Sequence, residues 1–457
     1  MSATVEGIIE SRHPLSPRAA LEGLGLPSRL ALDYSPRTLW EHDTRQLPAA
    51  LASWRRHLRR FAERELLPRA LETDLADHPP AGHWWPGMRE LVIRAARAGL
   101  MTDLLPRPLG SAPLARMRYL AWAQSLKTEE LAAACGGQML LLCAHQLGLA
   151  PLVLSGDMQI LRRFVYPVMR DLERGEPHLC AYAITEPGAG SDAEESHGAS
   201  LYRPGVVARR DGRQWRLSGR KVFISGGDVA RTLVVQAALE GEDMASWTCF
   251  VVPRDTPGFR VVRTEHKMGM RASGAAELEF DDARIPDTHV VSGLRRGWGL
   301  NRATLNLSRI PVAGMAVGFA RAATDIALDH ACTRHLGNRR LIDFQEVQLQ
   351  LARMVAETAA IRSLVREQAR ALTPRQAPAA ICKFHATDTA LRVCHMAMDL
   401  LGGESLRHER RLEKVFRDVR LTRIFEGTNQ INRLAVIEDM QEEIDQRSKV
   451  PGDQYHA

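Results

Sequence analysis

The run Ala183-Ile184-Thr185-Glu186-Pro187-Gly188-Ala189-Gly190-Ser191-Asp192 brings together residue types that can hold an anion or an electron-rich ring. Gly188, Ala189 and Gly190 carry almost no side chain, so successive backbone amides can converge on one ligand. Thr185 and Ser191 add hydroxyl donors. A plain β-turn accounts for the same composition, so the run by itself names no ligand. A second concentration of reactive types is Cys382, His385, Cys394 and His395, but their spacing fits no zinc template. The seven cysteines are odd in number and contain no CxxC pair, which points to a reduced, cytoplasmic protein.

Of the 61 basic residues 55 are arginine, and the net charge is +7. Solvated helix faces explain such an excess; so would an anionic ligand, either the phosphates of a nucleotide or CoA, or an acidic carrier protein. With no basic tail and no basic strip interleaved with aromatics, nucleic acid is not expected as a partner.

These residues must be positioned by a chain of 457 residues, 45% hydrophobic and 25% charged, which suffices for two or three domains with real cores. No apolar run reaches the roughly 18 residues of a bilayer span, and the first residues hold no apolar signal core, so neither a membrane span nor a secretory leader is expected. Residues 1–45, rich in proline and glycine, read as an irregular extension. Residues 46–179 show helical periodicity: Trp54, Leu58, Phe61 and Leu66 recur at about three-to-four spacing, and Leu131 to Leu154 predicts one or two buried helices. Over 180–292 short β-branched runs alternate with turns, which predicts antiparallel strands. Residues 293–445 return to long helical patterns, Leu300 to Thr333, Phe344 to Leu372, Ala379 to Leu401 and Asn429 to Arg447, followed by a tail, 446–457. The expected fold class is mainly α with a central antiparallel β domain.

Five segments, in order, resemble the acyl-CoA dehydrogenase family. Thr185 to Asp192 is similar to its TEPxAGSD loop, and Lys221-Val222-Phe223-Ile224-Ser225-Gly226-Gly227 to its KxWITNG strand. Lys267-Met268-Gly269-Met270-Arg271-Ala272-Ser273 matches KMGxRxS; Arg334 through Gln345 matches RxxFGxxxxxxQ in length; Arg417-Asp418 with Phe425-Glu426-Gly427-Thr428 matches its RD…YEGT end. The resemblance spans roughly residues 45 to 445. It implies a helical domain, a β-barrel domain and a C-terminal four-helix bundle, with FAD as cofactor. The reaction it implies is α,β-dehydrogenation of an acyl thioester.

By that resemblance Glu426 is the base that takes the α-proton, and a carboxylate in a dry pocket suits that task. Ser308 stands where other members carry the base. Cofactor contacts are implied for Tyr182, Thr185, Gly190, Ser191, Phe223, Ser225, Arg334, Gln345, Gly402, Gly403, Thr428 and Gln430. Substrate contacts are implied for Ser191, Asn306, Arg309 and Gly427. The chain departs from the pattern at Gly337-Asn338, where a phenylalanine is missing, and at Asp399, which replaces a glutamine ahead of Gly402-Gly403. By that resemblance residues 133–150 line the acyl pocket, and Tyr119, Trp122 and Phe425 are candidate caps; Tyr119 and Trp122 read more readily as helix-core packing, and His145, a lone histidine on an apolar helix, more readily as structural than as a pocket residue. The implied partners are acyl-CoA or an acyl carrier protein thioester, an electron-transfer flavoprotein, and one or three further copies of the chain. A flavin oxidase or monooxygenase on the same fold, and a scaffold that has lost FAD, are the competing readings.

Overall fold

The computed structural model describes residues 24–31, 40, 46–191, 205–371 and 373–448. The extension expected over 1–45, the tail over 446–457 and Asp192 fall wholly or largely outside the described residues. Helix α1 (Ala49–Phe61) starts at Pro48, whose carbonyl accepts the amides of Leu51 and Ala52. Its buried Leu51, Trp54, Arg55 and Leu58 share one face, the periodicity legible in the sequence. After α2 (Met88–Arg97), α3 (Leu120–Ala134) and α4 (Gly136–Leu154) are buried nearly all round and are separated only by the extended Cys135. A short α5 (Tyr166–Glu173) leads into the sheet.

Among the described residues eight strands form that sheet: β1 (Cys180–Ala183), β2 (Val206–Asp211), β3 (Gln214–Ser225), β4 (Thr232–Leu239), β5 (Thr248–Pro253), β6 (Phe259–Thr264), β7 (Ala275–Pro286) and β8 (Val290–Val291). The pairing path runs β6-β7-β3-β2-β4-β5-β8, with β1 also on β4. It is mixed, not wholly antiparallel: β4 pairs parallel to both β1 and β2. Between β1 and β4 the chain makes the β2–β3 hairpin and so returns to β4 in the same direction, the long connection that parallel pairing needs. The β3–β7 register slips between Lys221 and Ile224, and that bulge carries Phe223.

The last third contains α6 (Gly297–Thr333), α7 (Gln345–Ala369), α8 (Gln376–Leu401), α9 (Leu412–Leu421) and α10 (Asn429–Ser448). α6 lies directly against the backbone of α3. A Cβ added at Gly314 would sit 2.5 Å from the Ser125 carbonyl oxygen, and one at Gly318 2.4 Å from that of Glu129, so only glycine permits this approach. By length and composition α4 and α6 could each cross a bilayer, contrary to the sequence reading, but 78% and 83% of their apolar windows are buried inside the protein. Part of the arginine excess is also internal. Glu130 accepts from Arg55 (2.8 Å), Arg59 (3.2 Å) and Arg321 (2.8 Å), and Glu129 faces Arg321 (3.0 Å) and Arg362 (2.9 Å). This network ties α1, α3, α6 and α7 together around two carboxylates that burial alone would neutralise.

Candidate active site

Glu426 and Gly427 lie between α9 and α10 with φ of 54° and 77°, two successive left-handed residues. A non-glycine residue held there costs on the order of 1–2 kcal/mol, so the surroundings must enforce it. They do so from several directions. The fully buried Lys383 donates to the Gly427 carbonyl (2.6 Å) and to Asn429 Oδ1 (2.9 Å). Asn432 donates to the Gly427 and Thr428 carbonyls, both at 2.9 Å. The Thr428 amide donates to Ser191 Oγ (2.9 Å), which joins the glycine-rich run to this loop across the molecule.

The Glu426 side chain is half-buried, and its Oε2 accepts the Ser308 hydroxyl at 2.5 Å. Desolvation raises its carboxyl above the usual range, against the Ser308 hydrogen bond and the nearby charges of Lys383 and Arg309, which lower it. Glu426, Ser308, Ser225 and Phe425 line a cavity of about 200 Å³ whose walls are otherwise mostly apolar side chains of α3, α4 and α6, such as Leu140, Leu147, Val312 and Met315. A carboxylate that faces a mostly apolar space and carries a raised pKa is equipped to take a proton from a weak carbon acid.

The glycine-rich run is pinned by a pair the sequence reading missed. The buried Lys221 donates to Glu186 Oε1 and to the Ile184 carbonyl, both at 2.7 Å, and Glu186 also accepts the amides of Gly205 and Val206. The Thr185 carbonyl accepts the Val222 amide (2.9 Å), and Gly190 and Ser191 are half-buried beside it. The Tyr182 hydroxyl is enclosed, donating to Asn301 Oδ1 (3.0 Å) and accepting from Gln236 (2.8 Å). Phe223 is 61% exposed with φ of 58°, a strained backbone that turns an aromatic ring outward.

Other expected contacts fall elsewhere. Asn306 donates to the Pro374 carbonyl (2.7 Å), which ties its amide to the start of α8 instead of the cavity. Arg309 is buried close enough to Glu426 to act on its charge. Tyr119 and Trp122 pack edge to face with each other, 6.4 Å between centroids, and do not line the cavity, because the helix phase turns them to the far side of α3. His145 accepts the Cys180 amide, and burial pushes its imidazole down to about 3, so it is a neutral structural acceptor. Cys382, His385, Cys394 and His395 do not converge. Among the described residues the one close set of ligand types is Asp74, His408 and Glu413, and Arg417 already bridges Asp74 (2.5 Å) and Glu413 (2.6 Å).

A second hollow, at the junction of α6 and α8, is lined by Arg334, Asp399, Gly402 and Gly403. An added Cβ at Gly402 or Gly403 would meet nothing within 4 Å, so bare backbone faces open space beside a guanidinium. That donor set suits a phosphate group, with Asp399 as the opposing charge. Gly337 and Asn338 make the turn between two two-residue strands, His335–Leu336 and Arg339–Arg340, with φ of 60° at Gly337, which a phenylalanine would resist. Gln345 at the start of α7 and Gln430 in the first turn of α10 are exposed and line neither space. The glycine-rich run beside an outward ring suits a flavin, and the separate hollow suits a phosphate, the two kinds of group that FAD carries.

The chain resembles known proteins over most of its length. It matches the family models for the N-terminal domain of acyl-CoA dehydrogenase over residues 49–171, the middle domain over 181–283 and the C-terminal domain over 295–441. The mitochondrial short-chain specific acyl-CoA dehydrogenase of Bos taurus is 33% identical over 404 residues, 86% of this chain and 90% of that one. The butyryl-CoA dehydrogenase of Megasphaera elsdenii superposes with a TM-score of 0.76 at 27% identity, covering 86% of this chain and 99% of that one. An acyl-CoA dehydrogenase complexed with FAD from Bacillus anthracis gives 0.77 at 25% identity, covering 88% and 69%. The chain belongs to the acyl-CoA dehydrogenase family, FAD-dependent oxidoreductases that act on the CH–CH group of an acyl thioester.

Proposed function

We propose that Glu426 is the base of this enzyme and that its substrate is an acyl-CoA whose chain lies in the cavity between α3, α4 and α6. The observation that carries this reading is the half-buried carboxylate of Glu426 at an apolar cavity, hydrogen-bonded by Ser308 and raised by desolvation. The α C–H bond breaks and its proton goes to a Glu426 oxygen; the β C–H bond breaks and its electron pair leaves as hydride; the product is the trans-2-enoyl thioester. FAD, when bound, would supply the two-electron acceptor for that hydride, with an electron-transfer flavoprotein as the onward electron acceptor. The cavity walls keep water from the developing enolate, where a competing hydrogen bond would spend the base on solvent. Gly427, left-handed and without a side chain, lets the backbone approach the thioester oxygen.

Ser191 joins the glycine-rich run to the base loop, which supports placing Thr185, Gly190, Ser191, Phe223, Ser225 and Thr428 at the flavin end, and the bare backbone of Gly402 and Gly403 beside Arg334 supports a phosphate end there. A homodimer or homotetramer in a reducing, cytoplasmic setting completes the reading. It is supported by the exposed apolar residues Leu434, Ile437, Met440 and Ile444 along α10 and by seven unpaired cysteines. The test is anaerobic addition of acyl-CoA to the FAD-loaded protein. Bleaching of the flavin band by the wild type and not by Glu426→Gln supports the reading, and equal bleaching by both defeats it.

A further inference from the structure

The acyl cavity is not uniformly apolar. Gln124 on α3 lines it, is 6% exposed, and has its orientation fixed from behind. Its amide nitrogen donates to Asp103 Oδ2 at 2.8 Å. A carboxylate has no hydrogen to give, so the amide cannot flip, and the carbonyl oxygen is the end that faces away. Asp103 is itself held: Lys127 donates to Oδ1 at 2.8 Å, the Gln146 amide donates to the same oxygen, and both charged groups are 1% exposed. The positive charge of Arg116 also acts on Asp103.

Several other polar groups on the cavity wall are already engaged within the protein. Both ends of the Gln146 amide are taken, by Lys127 and by Asp103. The Thr128 hydroxyl donates to the Pro311 carbonyl at 2.7 Å, and the Ser308 hydroxyl to Glu426. Among the described residues no group donates to the Gln124 carbonyl oxygen. A buried ion pair is therefore spent on presenting one unpaired hydrogen-bond acceptor inside an apolar pocket. A plain hydrocarbon chain would leave that acceptor unsatisfied, at a cost of about 1–3 kcal/mol.

Resting on the acyl-CoA reading above, we propose that Gln124 selects acyl groups bearing a hydrogen-bond donor, a hydroxyl on the chain beyond the α and β carbons. Recognition by a site built to hydrogen-bond a substrate group discriminates far more strongly than an extra methylene in an apolar slot. Fixed by Asp103, the Gln124 carbonyl accepts a hydrogen bond from the hydroxyl without rearrangement of its own.

The experiment measures kcat/KM of the FAD-loaded enzyme for acyl-CoAs of one chain length, plain or with the hydroxyl at successive positions from C4 outward. Binding of the same compounds to the Glu426→Gln protein is measured alongside by calorimetry. The wild type should prefer one hydroxyl position over the plain chain by about 10- to 100-fold in both measurements. In Gln124→Leu that preference should collapse to within about threefold of unity, through loss on the hydroxylated substrate and gain on the plain one. Gln124→Met gives the same reading should Leu disturb folding. Equal use of both kinds by the wild type, or a preference that survives both variants, overturns the assignment while leaving the dehydrogenase reading intact. Failure of every acyl-CoA to reduce the flavin would overturn that reading and this assignment with it.

Discussion

Replacing Ser308 with alanine removes one hydroxyl and isolates what holds the base. That hydroxyl has a single hydrogen and two acceptors in reach, the Leu305 carbonyl at 2.9 Å and Glu426 Oε2 at 2.5 Å. The ionised carboxylate is the stronger acceptor and takes the bond. A hydrogen bond to a charged group contributes about 1.5–3 kcal/mol. Lost from the reacting geometry, that amounts to roughly a 10- to 150-fold fall in kcat/KM. The bond also lowers the Glu426 pKa, which desolvation has raised. Without it the carboxyl rises further. The base acts as carboxylate, so the ascending limb of the pH profile must move to higher pH. Stability should change little, since the hydroxyl's remaining partner is a carbonyl of its own helix. The assay is kcat/KM against pH with an artificial electron acceptor, with a thermal melt as control. An unmoved limb, or one displaced to lower pH, would show that Ser308 does not bond the active carboxylate.

Three further outcomes are expected. Because the folded-state pKa of Glu426 is raised, its protonation favours folding at low pH, and that contribution is lost as pH rises through the folded value. Glu426→Gln should therefore gain in melting temperature relative to wild type on going from acid to alkaline pH, measured by calorimetry of the two proteins side by side. Asp399→Gln should retain FAD longer through gel filtration, since a carboxylate is removed from the hollow that holds Arg334, and the flavin-to-protein absorbance ratio reads it directly. Lys127→Met leaves Asp103 buried without its cation and should cost about 3–5 kcal/mol in urea unfolding, most of it recovered when Asp103→Leu is added.

Parts of the candidate site have a local signal in the sequence. The run from Thr185 to Ser191 and the step Glu426-Gly427 are each built within a few residues, where composition and backbone requirement coincide. Long helices such as α6 and α8 were legible from periodicity, with ends within a few residues of those observed. What escaped the sequence reading is what the fold brings together from afar. Lys383 beneath Gly427, Lys221 on Glu186, and Lys127 with Asp103 are buried cations whose partners lie 24 to 44 positions away. A signal was present: only six lysines stand against 55 arginines, and four of them are fully or almost fully buried. The parallel pairings of β4 escaped because pairing direction depends on the path of the whole chain, which a strand's own residues do not encode. Tyr119 and Trp122 pack on each other away from the cavity, as core packing would have it; their helix is buried on every side, with charged as well as apolar residues, so its pattern does not say which face meets the cavity.

The central claim is that Glu426 takes the α-proton, and deuterium uptake tests it most directly. The FAD-loaded protein is incubated with acyl-CoA in D2O without an electron acceptor, and the recovered substrate is read by NMR at the α-carbon. The wild type should exchange the α-hydrogen, and Glu426→Gln, with FAD still bound, should not. Exchange by Glu426→Gln at near the wild-type rate would contradict the assignment of the base.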